Sequence, residues 1–403
     1  MSGPIGARSV PAPLALALAL VGCGRGDPGG APGLTPRVVA PDAVHVVGTS
    51  DTISRIADLM PTGDGSVWVL NNTEPFLVHL DAEGRVLRTQ GARGGGPGEF
   101  SWPSTLVRDP VTGAVWVYEA ALGRLVRIEE DGAEPEVLAL PQDSAGPVRI
   151  NSYEYLWMNN GGRVWMRATD QGFVFARASP AVPWIYGLWS TEVVRLDRDG
   201  RLETVAWTAD MVGDPGARFP GATRFLPYPL WASCPDGSLA LYDPGRNGVH
   251  RLTASGDTVG WHVLPPERRL EMTSERVFET VHPGVLRNRL FAEPPGPDVL
   301  RQMVERDYEQ RVDEFADVFP EYVELECVAG DVGHTLWIQP FDATQGQMGR
   351  GPAWLRTTEG GAMGEVLFPV DFRPMRFLDG RIWGIHRGAY DVDHVAWVEM
   401  PVG

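Results

Sequence analysis

GSVWV, residues 65–69, decides the architecture, because the sequence keeps returning to it. The phrase is a glycine, one or two residues, an aliphatic residue, then tryptophan and a further apolar residue. It recurs as Gly113-Ala114-Val115-Trp116-Val117 and as Gly162-Arg163-Val164-Trp165-Met166. Gly237-Ser238-Leu239-Ala240-Leu241 keeps the pattern with alanine in place of tryptophan. Gly333-His334-Thr335-Leu336-Trp337-Ile338 and Gly380-Arg381-Ile382-Trp383 complete six copies. Measured at the tryptophan position, the copies lie 48, 49, 75, 97 and 46 residues apart. A tight glycine turn before a run of β-branched and aromatic residues reads as the start of a strand. Periods of roughly 40–50 residues built from short strands read as the blades of a propeller.

A second phrase follows each copy. It reads FLVHLDAEGRVLRT from Phe76, RLVRIEEDG from Arg124 and EVVRLDRDGRLETV from Glu192. It continues as GVHRLTASGDTVGW from Gly248, AWLRTTEGGAMGEVLF from Ala353 and VAWVEM from Val395. Apolar and polar residues alternate, then a turn leads into another alternating run, which is a hairpin. The expectation is all-β: a six-bladed β-propeller of four-stranded antiparallel blades. The sixth unit stops after its third strand, at Met400. Residues 37–48, RVVAPDAVHVVG, alternate suitably and are expected to close the ring as the outer strand of the last blade, removing a free sheet edge.

Gly94-Gly95-Gly96-Pro97-Gly98-Glu99-Phe100, followed by Pro103 and by Trp116 in its strand, resembles the NHL-type repeat of six-bladed propellers. The chain is similar over about residues 37–403 to bacterial six-bladed propeller lipoproteins, a TolB-like architecture. The Gly-Pro-Gly-Glu-Phe phrase occurs once, so the family's loop chemistry is not carried to the other blades.

The N-terminus reads as an export signal over 1–22. Arg8 supplies positive charge, and Leu14 to Val21 form an apolar run too short to span a bilayer. Leu20-Val21-Gly22-Cys23 resembles a lipobox, which implies a lipid anchor at Cys23. Residues 23–36 are rich in Gly, Pro and Asp and read as a flexible tether. The expected location is the cell envelope, on the outer membrane facing the periplasm or the surface. The anchor is then the only membrane contact.

Charge narrows the partners. All 35 basic residues are arginine, against 52 acidic ones, for a net charge of −17. Such a chain is repelled by phosphate backbones, so nucleic acid is not an expected partner. Cys234 and Cys327 remain after export, where an oxidising compartment allows them to pair as a disulfide.

Two insertions explain the long spacings. One is divided between 170–190 and 209–231. The other, about 265–323, changes to a helical period: Leu300, Val304, Tyr308, Val312, Phe315 and Phe319 share one face of a helix expected from Pro297 to Phe319. A shorter helix is expected within 274–291, broken near Pro283-Gly284. In a four-stranded blade, the loop between strands two and three shares a face with the connection to the next blade. Every large elaboration belongs to those two classes, so one face carries them all.

The candidate ligand-binding residues on that face are Asn71, Asn72, Glu74, Glu119, Phe173, Trp184, Tyr186, Trp189, Asp243, Asn247 and Asp391. Oxygen ligands from Asn72, Glu119, Asp243 and Asp391 are weak candidates for holding Ca²⁺. Six-bladed lactonases resemble that arrangement, with the metal polarising an ester carbonyl. Asn and Asp are also ordinary turn residues. No G-x-S-x-G elbow, H-E-x-x-H pair or Gly-Lys phosphate loop is present, and no catalytic residue or required cofactor is assigned. The repeated tryptophans read as inter-blade core. His79 and His250 read as solvent-facing. The leading expectation is a monomeric binding module for a protein or small molecule. The alternative is a calcium-dependent lactonase or esterase.

Overall fold

The computed structural model describes residues 35–401, apart from breaks of which the longest are 129–134, 148–165, 179–190, 208–229, 265–269, 280–295, 313–321 and 343–350. Six antiparallel sheets form the six blades. Blade 1 runs through Ile56–Pro61, Val67–Asn71, Leu77–Leu80 and Val86–Gln90. Blade 2 runs through Pro103–Arg108, Val115–Glu119, Arg124–Arg127 and Val137–Ala139. Blade 3 takes Met166–Thr169, Gly172–Ala178, Thr191–Leu196 and Leu202–Trp207. Blade 4 takes Trp231–Ser233, Leu239–Asp243, Gly248–Leu252 and Thr258–Val263. Blade 5 takes Tyr322–Ala329, His334–Pro340, Ala353–Thr358 and Met363–Leu367. Blade 6 contributes Phe372–Leu378, Arg381–Arg387 and Asp393–Glu399. The strand-one elements of successive blades touch one another in a closed ring, including blade 6 against blade 1.

The glycine of the repeat has a conformational reason. Gly65, Gly113, Gly237, Gly333 and Gly380 all have φ between 67° and 90°, where a side chain is disfavoured. The sixth member of this set is not Gly162 but Gly172, with φ 135°. Strand two of blade 3 is therefore Gly172–Ala178, and Met166 opens strand one. The register agrees. Trp68 pairs with His79, two residues before the Asp81 turn, and Val174 pairs with Arg195, two before Asp197. Valine thus fills the tryptophan slot of blade 3, and Gly162–Trp165 lie outside the described residues.

Each seam between blades has its own apolar cluster. Trp68 of blade 1 packs with Leu106 and Val117 of blade 2. Trp116 packs with Phe173 and Phe175 of blade 3. Trp337 packs with Phe377 and Ile382 of blade 6, and Trp383 with Leu59 and Val69 of blade 1. These four tryptophans are at most 5% exposed. Burying an indole between two sheets is a large apolar contribution, of order several kcal/mol on truncation. The blade 3–4 seam replaces the missing indole with Trp231 from strand one of blade 4. The blade 4–5 seam has Ala240 in the slot, and there the bonded Cys234 and Cys327 join the cluster, with Cα atoms 4.9 Å apart.

The N-terminal segment divides its work. His45–Gly48 pairs antiparallel with Asp393–Glu399 and supplies the fourth strand of blade 6. Arg37–Val38 instead pairs parallel with Val366–Leu367, a fifth strand on blade 5. The expectation of one strand over 37–48 is corrected: the turn at Pro41–Ala43 breaks the run and hands its halves to different blades. Closure is tight at the rim. A Cβ on Gly84, in the outer turn of blade 1, would lie 2.3 Å from the Val47 carbonyl oxygen.

The insert between blades 4 and 5 contains the expected helix, from Pro297 to Gln310, and Leu300 is its buried residue. Residues 274–279 are also helical. Tyr308 donates a hydrogen bond to the Met272 carbonyl at 3.0 Å, and Arg301 lies over the Phe278 ring at 4.2 Å. Residues 313–319 of the expected helix lie outside the described residues. No helix among the described residues is long and apolar enough to cross a membrane.

Candidate functional site

The candidates from the loop-rich face separate by what their polar atoms hold. Asn71 ends strand two of blade 1 and is 1% exposed. Its Oδ1 accepts hydrogen bonds from the Ser54 and Arg55 backbone N–H groups at 3.0 and 3.2 Å. Its Nδ2 donates to the carbonyls of Thr52 and Thr73, each at 2.9 Å. Glu119 stands at the same position of blade 2, fully buried. Its carboxylate accepts from the N–H groups of Ser101 (3.0 Å), Trp102 (2.7 Å) and Ala121 (3.2 Å). In both blades the last residue of strand two fastens the backbone that leads into strand one. In blade 6, His386, one residue before the end of strand two, has its Nε2 3.1 Å from the Asp371 carboxylate, just before strand one. Asn71 and Glu119 are committed to their own loops, as buried polar atoms must be.

The other candidates are placed as follows. Asp243 ends strand two of blade 4, is 1% exposed, and faces His250 Nε2 at 3.4 Å. Asn247 has φ 51° and accepts from Leu264 N–H at 3.1 Å through its carbonyl, a turn role. Asn72 and Glu74 are exposed; Glu74 faces Arg93 at 3.6 Å. Phe173 is corrected: it is 2% exposed and belongs to the blade 2–3 seam, because 172–178 is a strand and not a loop. Trp184, Tyr186, Trp189 and Asp391, like Cys23, lie outside the described residues. His79 is half-buried, stacked on Trp68 at 4.3 Å and bonded to Ser66 Oγ at 2.8 Å, and His250 is buried. Both are corrections to the solvent-facing expectation. A histidine opposite an indole covers it better than water does.

The sequence reading missed a set of charges on strand one. Asp58 of blade 1 is fully buried and accepts from Thr105 Oγ1 at 2.7 Å and Leu106 N–H at 2.9 Å, both in blade 2. Arg376 of blade 6 forms a short ion pair with Asp58. It also donates to the Leu59 carbonyl at 3.1 Å and the Leu106 carbonyl at 2.9 Å. Arg376 therefore reaches from blade 6 past blade 1 to blade 2. Arg167 of blade 3 forms a short ion pair with Glu326 of blade 5, across the position of blade 4. Burial works against the Arg167 charge, but Glu326, Asp58 and Glu324 outweigh it and raise its pKa. The Arg167–Glu326 pair and the bond from Arg376 to the Leu106 carbonyl link non-adjacent blades, and the Arg376–Asp58 pair links neighbours. Their signal in the sequence was slight: a charged residue inside an apolar strand, as in IADLMP or FRPMRFL.

Exposed apolar residues in the connections favour one face. Trp102 is 58% exposed, and Leu122, Val370 and Val392 are exposed on the same face, joined by Val299 and Met303 of the insert. Val111 is the exposed counterpart on the opposite face among the described residues. Trp102 is held from behind: its N–H is bound by Glu119, and its carbonyl accepts from Ala120 N–H at 3.0 Å.

No protein-family model matches the chain, and no curated protein matches it in sequence. Among solved structures the chain is similar to a member of the DUF4221 family from Bacteroides vulgatus, at 10% identity, over 88% of this chain and 94% of that chain, with a TM-score of 0.52. It is also similar to a virginiamycin B lyase from Staphylococcus aureus, at 13% identity over 89% of each chain, with a TM-score of 0.40. A streptogramin B lyase structure matches at 15% identity, over 89% of this chain and 88% of that chain, with a TM-score of 0.40. The likeness at these identities is one of fold: the chain is a six-bladed β-propeller.

Proposed function

We propose that the protein is a lipid-anchored, extracytoplasmic propeller that binds a protein or small-molecule ligand through its loop-rich face. The observation that carries this reading is Trp102, an exposed indole on a backbone fixed by the buried Glu119. A rigid exposed aromatic gives contact area at little ordering cost, which is what a binding anchor needs. Leu122, two residues beyond the Ala120 N–H that bonds the Trp102 carbonyl, is exposed as well. The lipid anchor is supported by the resemblance of Leu20-Val21-Gly22-Cys23 to a lipobox. The lactonase reading gains less support, because Glu119 spends its carboxylate on three backbone N–H groups.

The test is a photo-crosslinking residue placed at Trp102, at Leu122 or at Val111 in cells that export the full chain. Adducts from positions 102 and 122 but none from 111 support the reading. Equal adduct formation from both faces, or none from 102 and 122, overturns it. Lipidation is tested separately by fatty-acid labelling, which Cys23→Ala should abolish.

A further inference from the structure

Beside the disulfide, on the face opposite the long connections, stand two side chains with metal-binding chemistry. Cys234 follows strand one of blade 4, Asp236 is two residues on, and His334 begins strand two of blade 5. One ligand atom from each of Cys234, Asp236 and His334 lies within 4.8 Å of the other two. His334 Nε2 is 3.3 Å from Asp236 Oδ1. Cys327 is disulfide-bonded to Cys234, so a fourth donor stands beside the other three. While the bond is intact neither sulfur is a thiolate, and only His334 and Asp236 are left to ligate. Once it is broken, two thiolates, an imidazole and a carboxylate share one small volume. Tetrahedral zinc takes such donors at about 2.0–2.3 Å, which places neighbouring ligand atoms roughly 3.3–3.8 Å apart. The Cys234, Asp236 and His334 atoms have to draw together by no more than about 1.5 Å, and the two sulfurs, once unbonded, have to move apart. Asp236 is exposed and Cys234, Cys327 and His334 are not, which gives the ion one way in.

We propose that Cys234, Cys327, Asp236 and His334 form a redox-gated site for a zinc-class divalent cation, closed by the disulfide and opened by its reduction. The chemistry balances without a further co-reactant. A dithiol delivers two electrons and two protons to the S–S bond, giving two cysteine thiols, and is itself oxidised to a disulfide. Zinc then displaces the two thiol protons to solvent and takes the two sulfurs, with His334 and Asp236 completing the tetrahedron. The cation takes over the cross-link between blades 4 and 5 that the disulfide supplied. This proposal is independent of the ligand-binding reading, which concerns the other face.

The test uses the purified chain, reduced with dithiothreitol, desalted without oxygen, and titrated with Co²⁺ as a spectroscopic stand-in for zinc. The expected result is one Co²⁺ per chain with the absorption of tetrahedral thiolate ligation, displaced by Zn²⁺, and no such absorption from the oxidised chain. Asp236→Asn and His334→Ala should each weaken binding by about tenfold or more while the oxidised form stays folded by circular dichroism. Circular dichroism establishes that the reduced chain is folded. If it unfolds, Cys327→Ala leaves Cys234, Asp236 and His334 available without any reduction, and weaker Co²⁺ binding should persist there. The idea is overturned if neither folded form gives a thiolate–cobalt band, or if the band survives both the Asp236 and the His334 substitutions.

Discussion

Asn71 and Glu119 were read from the sequence as ligand-facing polar residues at the ends of strands, and each proves to be a local fastener. The distinction was not legible beforehand, because a side-chain oxygen at a strand end suits either role and the loop backbone decides. The consequence is measurable. Glu119→Ala leaves three backbone N–H groups without their acceptor, at a cost of roughly 2–4 kcal/mol. We expect a melting point several degrees lower and faster proteolysis around residues 94–102 by mass spectrometry. Glu119→Gln, which keeps one acceptor, should fall between the two. An unchanged melt for the alanine variant would show that water replaces the carboxylate.

Single residues also set the acid limit of stability. Burial tends to raise the Asp109 pKa, but hydrogen bonds from Arg198, Val111 and Thr112 outweigh it and bring it to about 2. Thr62 and Ser66 hold Asp64 at about 2. Each folded value lies below the ordinary 3.8, so that stability is present above pH 4 and lost as pH falls towards 2. His262, His334 and His394 add an earlier loss. Burial is the first cause of their lowering from 6.5, followed for His262 by Arg251 and for His394 by His386; at His334, Asp236 opposes the shift without reversing it. Below pH 6.5 the unfolded chain takes up protons that the folded chain refuses, so folding weakens with acid. We expect a melting curve that declines in two stages, near pH 6 and again below pH 4. Asp109→Asn should flatten the second stage; a second stage of equal depth in that variant counts against the assignment.

At the scale of elements, the glycine-initiated strand was legible in five of six blades, because the turn requires positive φ and so requires glycine. Blade 3 was misplaced by nine to ten residues because Gly162 and Trp165 imitate the phrase, while the true strand carries Val174 in the tryptophan slot. The error then carried Phe173 from the core to a loop. The charged braces on strand one stayed hidden for a different reason. Their partners are 270 to 318 residues distant in sequence for Arg376, and no local pattern encodes such a pairing. The closing strand was legible from the missing fourth strand of blade 6. Deleting residues 37–48 should expose the edge at Asp393–Glu399 to other chains. We expect oligomers or precipitate by size-exclusion chromatography and a lower melting point. A monomer with an unchanged melt would mean that the third strand tolerates being an edge.

At the scale of the molecule, the ring is held by two systems with different chemistry. The seams are apolar and join neighbours; the braces are charged or polar, and two of them, Arg167 to Glu326 and Arg376 to Leu106, skip a blade, while the Arg376–Asp58 ion pair joins neighbours. Arg376 serves blades 1 and 2 from blade 6, so Arg376→Met should cost more than its apolar volume implies. It leaves Asp58 buried without its charge partner, which typically costs about 3–5 kcal/mol. The double substitution Arg376→Met with Asp58→Leu removes both charges and should recover part of that loss in chemical denaturation. If the double variant is as weak as the sum of the singles, the pair is not the brace inferred from its geometry.

The N-terminal segment has one more consequence, a mechanical one. The chain enters the domain at the rim, where Arg37–Val39 lies along blade 5 before His45–Gly48 closes blade 6. Tension on that end loads the short parallel pairing first. It reaches the closing strand only after those few bonds have peeled and the slack around Pro41–Ala43 has been drawn out. The arrangement acts as a fuse: a modest tug spends itself on an accessory strand, and the ring stays shut.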